Sequence, residues 1–289
     1  MSESSVPRVS LVMPVHNGAR YLDEALRSVR EQRFADWELI CVDDASSDDT
    51  PAILARHAAA DGRVRVLTNG TNLKLPATLN RGFRAARAPL HGWTSDDNLL
   101  RPNMLERLVA ELDARPDAGV AYASFTVIDA DGRPRRVQQA GPVEDILLRN
   151  VVGAAFLYRA EVTEALGGYD ETLFGAEDYD FWLRAARRFT FARVYEDLYL
   201  YRRHDASLTD TREREIKDKV AGLIVRELAH VADRRRRAET LLHLVTQDTS
   251  RMRAGLLARA SAESPAAALA AAPRVARWLA RCVRDRVAV

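Results

Sequence analysis

Trp37-Glu38-Leu39-Ile40-Cys41-Val42-Asp43-Asp44-Ala45-Ser46-Ser47-Asp48 is a run of mostly apolar residues followed by carboxylates and hydroxyls. Residues 38–42 predict a buried strand, and Thr50-Pro51 predicts the start of a helix, because proline is favoured in a first helical turn. Strand followed by helix is the repeating unit of a parallel α/β sheet. The carboxylates therefore fall at the edge where such sheets bind ligands.

The same alternation continues on both sides of this stretch. Further strands are predicted over residues 9–15, 64–67 and 91–94, and helices over 19–31 and 76–88. Their order predicts a mainly parallel sheet with helices on both faces. After Gly119, a strand over 120–127 and a turn at 129–132 predict a mixed second half.

The composition changes near residue 210, where alanine, arginine and leucine begin to dominate. We therefore predict two parts, an α/β domain over 1–210 and a set of helices over 211–289, interrupted at Pro265 and Pro273. The net charge of +2 divides into +8 on the second part and −6 on the first. An acidic body suits cation binding, and no footprint for nucleic acid is present.

The sequence predicts a cytoplasmic protein. The first eight residues hold no apolar run of signal-peptide length, and no stretch of about 18 uncharged apolar residues follows. Cys41 and Cys282 lie in unlike settings, which indicates neither a disulfide framework nor a metal-site spacing.

Three acidic pairs fall at the ends of predicted strands or at the start of a helix. They are Asp43-Asp44, Asp96-Asp97 and Glu177-Asp178. Such carboxylates could hold a divalent cation or act as a general base. A structural interpretation stays open for each, because acids also cap helices, form turns and complement the helix dipole.

Five motifs, taken in order, resemble those of the family-two glycosyltransferases, which have the GT-A fold. They are Val9 to Asn17, Trp37 to Asp48, Asn72 to Ala85, Ser95-Asp96-Asp97, and Gly175-Ala176-Glu177-Asp178-Tyr179-Asp180-Phe181-Trp182. The resemblance covers about residues 9–207. It implies a GT-A domain, to which the helices predicted from composition over 211–289 would be a C-terminal extension.

The resemblance also implies roles for particular residues. Asp178 would be the general base with Glu177 beside it, Asp44 would contact the nucleobase, and Asp96 the ribose. Asp97 and His204 would hold Mn²⁺ or Mg²⁺. The implied nucleotide-binding residues are Pro14, Val15, His16, Asn17, Asp44, Asn72, Lys74, Asn80, Ser95 and Asp96. Arg202 and Arg203 are further candidates for phosphate contacts.

Three residues depart from the family pattern. His16 replaces a tyrosine, and Lys74 stands where glycine is usual. Ser95 replaces the first acid of the metal motif, which is similar to the Ser/Thr-Asp-Asp pattern of the spore-coat polysaccharide transferase subgroup.

The function implied is non-processive, inverting transfer of a sugar from a nucleotide-diphosphate donor, since no Gln-x-x-Arg-Trp segment is present. A saccharide, a lipid-linked molecule or a small molecule would be the acceptor, as in polysaccharide biosynthesis. One alternative is an inactive nucleotide-sugar-binding or scaffold protein. A sugar-phosphate nucleotidyltransferase is disfavoured, because the first strand is not followed by a Gly-rich loop with arginine and lysine.

The last predicted helix leaves two interpretations open. Val275, Trp278 and Cys282 share one face, and Arg274, Arg277, Arg281 and Arg284 share an adjacent one. The helix could lie on an anionic membrane surface, which would make the protein peripheral at the inner membrane face. The apolar face could instead pack on the α/β domain or on a second subunit as a homodimer.

Overall fold

The computed structural model describes residues 6–247 and 254–287. Its strands are β1 (Val9–Val15), β2 (Trp37–Asp43), β3 (Val64–Thr68), β4 (Leu90–Trp93), β5 (Leu99–Leu100), β6 (Ala118–Ile128), β7 (Pro134–Gln138), β8 (Ala155–Arg159) and β9 (Thr190–Arg202). Its α-helices are α1 (Ala19–Arg30), α2 (Thr50–Ala60), α3 (Leu75–Arg84), α4 (Met104–Ala114), α5 (Ala160–Leu166), α6 (Glu177–Ala185), α7 (Leu208–Thr211), α8 (Glu213–Glu227), α9 (Arg234–Gln247), α10 (Ala254–Glu263) and α11 (Pro265–Val287). The predicted strands and helices are therefore present.

One mixed sheet contains all nine strands, in the order β3-β2-β1-β4-β8-β6-β9-β5, with β7 beside β6. The neighbours β3, β2, β1 and β4 are parallel to one another. β8 is antiparallel to both β4 and β6, whereas β9 is parallel to β6. The prediction of a parallel first half and a mixed second half is confirmed.

The centre of the sheet is buried on both faces. Every residue of β1 and of β2 is buried, as expected of parallel strands covered by helices on both sides. Helix α1 buries the stripe Leu22, Ala25, Leu26 and Val29. Because these strands are fixed by core packing, the loops at their carboxyl ends start from fixed positions.

Helix α3 ends at Arg84, whereas the sequence predicted that it would continue to residue 88. The backbone N–H of Arg87 donates to Oε1 of Glu38 at 2.9 Å, and that of Ala88 donates to Ser10 Oγ at 3.0 Å. Side chains from β1 and β2 thus replace the carbonyls of a further helical turn. The prediction was wrong here because these partners lie far away in sequence.

The described chain divides into two compact units. The first extends through Val143 and resumes over Asn150–Ile216, and the second comprises Glu144–Arg149 and the chain from Lys217 onward. The predicted boundary after residue 210 stays a prediction.

In the second unit, helix α11 packs against α9 and α10. Pro273 lies inside α11, so the predicted interruption there is wrong. Proline removes one helical hydrogen bond, but burial of neighbouring side chains can outweigh that loss. Val275, Trp278 and Cys282 are all buried within the structure, whereas Arg274, Arg277 and Arg281 are exposed. Across the two described ranges, no helix is long and apolar enough to span a bilayer.

Substituting Gly82 by alanine is expected to destabilise the protein. A Cβ at Gly82 would overlap Cγ1 of Val12, so α3 would have to move away from β1. Overpacking of this kind costs about 1–3 kcal/mol, against roughly 1 kcal/mol gained in helix propensity. A urea unfolding curve should show a lower midpoint for Gly82→Ala. Gly62→Ala is the matched control, because nothing lies within 4 Å of the added carbon; equal midpoints for the two variants would contradict the expectation.

Candidate active site

The loops that follow β1 and β2 are joined to each other by hydrogen bonds. The backbone N–H of Asn17 donates to Ser46 Oγ at 2.9 Å, and that of Ser47 donates to Asn17 Oδ1 at 2.8 Å. The Gly18 N–H donates to Thr50 Oγ1 at 3.0 Å. β1 and β2 run in register to Val15 and Asp43, so both loops begin at the same level of the sheet.

His16 is an exposed side chain whose ring is oriented by both of its nitrogens. Nδ1 lies 2.8 Å from the Asp44 carbonyl oxygen, and Nε2 lies 3.3 Å from Nδ2 of Asn17. A carbonyl only accepts, so Nδ1 carries the proton and Nε2 accepts from the amide. Pro14 and Val15 are buried in β1 and position this loop through the backbone.

Asp44 is buried and holds the loop after β3. Its Oδ1 accepts from Asn69 Nδ2 at 2.6 Å and from the Leu73 N–H at 2.8 Å, and its Oδ2 accepts from the Lys74 N–H at 2.9 Å. Asn72 Oδ1 accepts from the same Lys74 N–H at 3.0 Å. The carboxylate expected to contact a nucleobase therefore also organises the protein around it.

Lys74 has φ +71° and ψ 164°, a combination that is essentially restricted to glycine. Asn17 and Ala45, in the two neighbouring loops, also have positive φ. Backbone strain clusters at ligand sites when surrounding contacts enforce it. Here those contacts are the hydrogen bonds from the Lys74 N–H to Asp44 and Asn72.

The Asn80 side chain is hydrogen-bonded to the backbone of the segment after α5. Its Nδ2 donates to the Tyr169 carbonyl at 2.8 Å, and its Oδ1 accepts from the Tyr169 N–H at 2.9 Å. Both ends of the amide thus join α3 to the segment after α5. Its predicted role in nucleotide binding stays a prediction.

Asp96 is half-buried and packs directly against the start of α1. A Cβ at Gly18 would overlap Oδ2 of Asp96, so this approach requires glycine at position 18. Burial, followed by repulsion from Asp97, raises the pKa of Asp96 to about 7. Ser95, directly before it, is also half-buried.

Asp97 and His204 are brought together from positions 107 residues apart. His204 Nε2 lies 3.1 Å from Oδ2 of Asp97, while the Ala206 N–H faces His204 Nδ1 at 3.3 Å. An N–H only donates, so Nδ1 accepts and Nε2 donates to the carboxylate. The other oxygen, Asp97 Oδ1, is buried and accepts no hydrogen bond from the described residues. Burial raises the pKa of Asp97, and the hydrogen bond from His204 partly offsets this.

This arrangement fits a cation that is held only partly by protein. An unpaired buried carboxylate oxygen is costly, and a cation would relieve it. Among the described residues, no group of three or more His, Cys, Asp or Glu side chains could hold a metal ion. Mg²⁺ commonly takes one or two carboxylates and completes its coordination with substrate phosphates and water. Asp97 supplies one such carboxylate, and His204 places an imidazole nitrogen beside it.

Asp178 lies in the first turn of helix α6 and is half-buried. Its Oδ1 accepts from the Tyr179 N–H at 2.7 Å, and its Oδ2 accepts from Asn150 Nδ2 at 3.0 Å. Burial raises the pKa of Asp178, and these two hydrogen bonds oppose that rise. Glu177 is buried, and its Oε2 accepts from the Gly175 N–H at 2.6 Å, so that carboxylate is directed at its own loop.

Two side chains make contacts with the predicted site residues that the sequence did not indicate. Arg202 was a candidate for phosphate binding, but it is buried and donates from Nη2 to Glu24 at 2.6 Å and from Nε to the Asp97 carbonyl at 2.9 Å. It therefore supports the Asp97 loop instead. Asn150 was not singled out, because one asparagine in a loop resembles an ordinary turn residue.

Residues 10–171 match the model of the family described as Glycosyl transferase family 2. The chain belongs to this family. O-antigen biosynthesis protein RfbC of Myxococcus xanthus is 32% identical over 206 residues, which make up 70% of this chain and 16% of RfbC. The chain therefore matches only a small part of that relative.

Solved structures that the chain resembles include TarS and a mannosyltransferase. S. aureus TarS 1-349 in complex with UDP-GlcNAc has a TM-score of 0.65 at 18% identity, over 88% of this chain and 73% of that one. The mannosyltransferase PcManGT from Pyrobaculum calidifontis, in complex with GDP-Man and Mn²⁺, has a TM-score of 0.60 at 19% identity, over 98% and 88%. These likenesses confirm the expected GT-A-like α/β fold.

Replacing Lys74 by glycine is expected to stabilise the protein. Glycine adopts φ +71° without steric cost, whereas strain at such a residue costs about 1–3 kcal/mol. Part of this gain is lost because glycine is more flexible in the unfolded chain, which leaves a net gain of roughly 1 kcal/mol. Thermal unfolding of Lys74→Gly measures it. Lys74→Ala removes the same ammonium but keeps the strain, so an equal rise in Tm for both variants would refute the explanation.

Proposed function

We propose that this glycosyltransferase transfers a sugar from a nucleotide-diphosphate donor to an acceptor hydroxyl, with inversion and with help from a divalent cation. The observation that carries the proposal is the buried, unpaired Oδ1 of Asp97 beside His204, in a chain of this family. Inversion follows if one residue, Asp178, activates the acceptor for a single displacement.

Asp97 and His204 would hold the cation. When bound, a divalent cation neutralises charge that develops on the departing diphosphate. Asp97 offers Oδ1 without giving up a protein contact. To ligate through Nε2, His204 would move its proton to Nδ1, and it would give up the hydrogen bonds to Asp97 Oδ2 and from the Ala206 N–H. Histidine ligates through an unprotonated nitrogen. The ion itself, Mn²⁺ or Mg²⁺, is part of the proposal.

Asp178 would take the proton of the acceptor hydroxyl. Each of its oxygens accepts one N–H hydrogen bond, and each keeps a second lone pair for the incoming proton. Loss of that proton makes the acceptor oxygen a stronger nucleophile. The oxygen would attack the anomeric carbon from the face opposite the nucleoside diphosphate, which inverts the configuration there.

The joined loops after β1, β2 and β3 would bind the nucleotide. Asp44 fixes the loop that carries Lys74 through two backbone N–H groups, and Asp96 packs against Gly18 at the start of α1. We assign the base contact to Asp44 and the ribose contact to Asp96. His16, Asn17, Asn72 and Ser95 complete this surface.

Several finer assignments accompany the proposal. We infer transfer of single sugars to a saccharide, a lipid-linked molecule or a small molecule, by a cytoplasmic enzyme of the Ser/Thr-Asp-Asp spore-coat-like subgroup. The alternative of an inactive nucleotide-sugar-binding or scaffold protein is not favoured, since Asp97 Oδ1 accepts no hydrogen bond from the described residues and Asp178 has a donor on each oxygen that leaves a lone pair for a proton.

A nucleoside diphosphate should stabilise the protein in a way that depends on both metal and Asp97. A ligand at 100 times its Kd adds about 2.7 kcal/mol to the free energy of unfolding. UDP or GDP with Mn²⁺ or Mg²⁺ should therefore raise Tm more than the nucleotide with EDTA. Asp97→Asn and His204→Ala should lose this metal-dependent increment. Asp117→Asn, an exposed acid in the turn before β6, is the control and should keep it. An unchanged increment in Asp97→Asn would remove Asp97 from the metal site.

Asp178→Asn should abolish most turnover while leaving nucleotide binding intact. Asparagine cannot accept the acceptor proton, and a general base contributes about 10²–10⁴ in rate. Turnover is measured as release of nucleoside diphosphate from the sugar donor that gives the largest thermal shift. The same Asp117→Asn control should keep its rate. Full activity of Asp178→Asn would eliminate Asp178 as the base.

A further inference from the structure

Asn150 is the one side chain seen to donate a hydrogen bond to Asp178 within the described residues. Its Nδ2 lies 3.0 Å from Oδ2 of Asp178, across 28 residues of sequence. The other bond to this carboxylate comes from the Tyr179 backbone, directly after it in the chain. Asn150 therefore provides the tertiary contact that sets the direction of the Asp178 side chain.

A second bond fixes the orientation of the Asn150 amide. The Gly153 N–H donates to Asn150 Oδ1 at 3.3 Å. Because that N–H can only donate, the amide oxygen must face Gly153 and the amide nitrogen must face Asp178. An amide nitrogen cannot accept, so it favours the ionised form of a carboxyl group in front of it.

The loop that carries Asn150 is held by the packing of the three residues that follow Asn150. Val151 and Val152 are buried, and Gly153 has φ +66°. A Cβ at Gly153 would overlap the ring of Phe125, so a larger residue could not take this conformation there. Packing therefore holds Asn150 in place independently of its contact with Asp178.

We propose that Asn150 is a positioning residue, which holds the Asp178 side chain in one orientation and keeps it ionised in a half-buried setting. This inference rests on the proposed function, in which Asp178 takes the acceptor proton. A buried carboxyl group tends to keep its proton, which would disable it as a base. A fixed donor counteracts that tendency and leaves one lone pair of each oxygen free for the substrate.

Two of the titratable groups around Asp178 are phenols that carry no charge near neutral pH. Tyr169 and Tyr179 interact electrostatically with it, and burial raises the pKa of both phenols, so both stay neutral. Glu177 is bonded to the Gly175 N–H, and Asp180 is paired with Arg184 at 2.7 Å. Asn150 is thus a neutral donor whose removal adds no new charge to this neighbourhood.

The ionisation of Asp178 can be measured directly in the 289-residue chain. Aspartate labelled with ¹³C at Cγ gives carboxyl resonances that titrate with pH, and the one missing from Asp178→Asn identifies Asp178. In Asn150→Ala, loss of a hydrogen bond to a charged group should raise the midpoint of the Asp178 carboxyl titration by about one pH unit. Asn150→Asp should raise it at least as far, since a second carboxylate disfavours ionisation of the first. Because Asp is nearly isosteric with Asn, this variant also serves if alanine disturbs the loop.

Asn103→Ala is the matched control, because Asn103 precedes α4 without a side-chain capping bond and should leave the midpoint at its wild-type value. An unchanged midpoint in both Asn150 variants overturns the inference, and so does an equal rise in Asn103→Ala. Once a sugar donor that the protein turns over is known, a second measurement is the pH profile of kcat/KM. Its acid limb should move to higher pH by the same amount in the Asn150 variants, and their rates should converge with the wild-type rate at high pH. A rate loss that is equal at every pH would instead indicate a merely structural role and overturn the inference.

Failure of this inference is distinguishable from failure of the proposed function. An active Asp178→Asn removes the base itself, whatever the midpoint of Asp178. An inactive Asp178→Asn with an unmoved midpoint in the Asn150 variants leaves the proposed base intact and removes only Asn150.

Discussion

The buried guanidinium of Arg202 connects the parts of the site that lie furthest apart in sequence. It donates to Glu24 on α1, to the carbonyl of Asp97, and from Nη1 to the Ala130 carbonyl at 3.1 Å. It also lies 4.5 Å from the centre of the Tyr21 ring. A buried charge is tolerated only when its donors are satisfied in this way. Because His204 follows two residues later, the same anchor brings that imidazole to the carboxylate of Asp97.

A second constraint acts on the nucleotide side of the site. The carboxylate of Asp44 accepts hydrogen bonds from N–H groups of the loop after β3. These bonds hold Lys74 in a backbone conformation suited to glycine. The hydrogen bonds offset the strain, since bonds to a charged acceptor are about twice as strong as neutral ones. The loop is thereby ordered before any ligand arrives, which lowers the entropy cost of binding.

Much of the sheet and some of the site were predictable. Buried strands such as β1 and β2 are recognisable as apolar runs, and the acids after them necessarily fall at the carboxyl edge of a parallel sheet. The end of α3 was not predictable, because Ser10 and Glu38 compete for its last N–H groups from other strands. Pro273 was misjudged for the related reason that packing in the second unit outweighs a lost helical bond.

The sequence by itself determined the order of strands and helices, the family, and the carboxylates that end the strands, because these depend on local periodicity and on residues adjacent in the chain. Only the tertiary structure decided which atoms remain free for chemistry. Glu177 and Asp178 are neighbours, yet one is bonded to its own loop and the other to Asn150. Arg202 and His204 are two residues apart, yet one is a buried support and the other faces Asp97. Hydrogen-bond partners chosen across the fold make these distinctions, and no pattern along the chain encodes them.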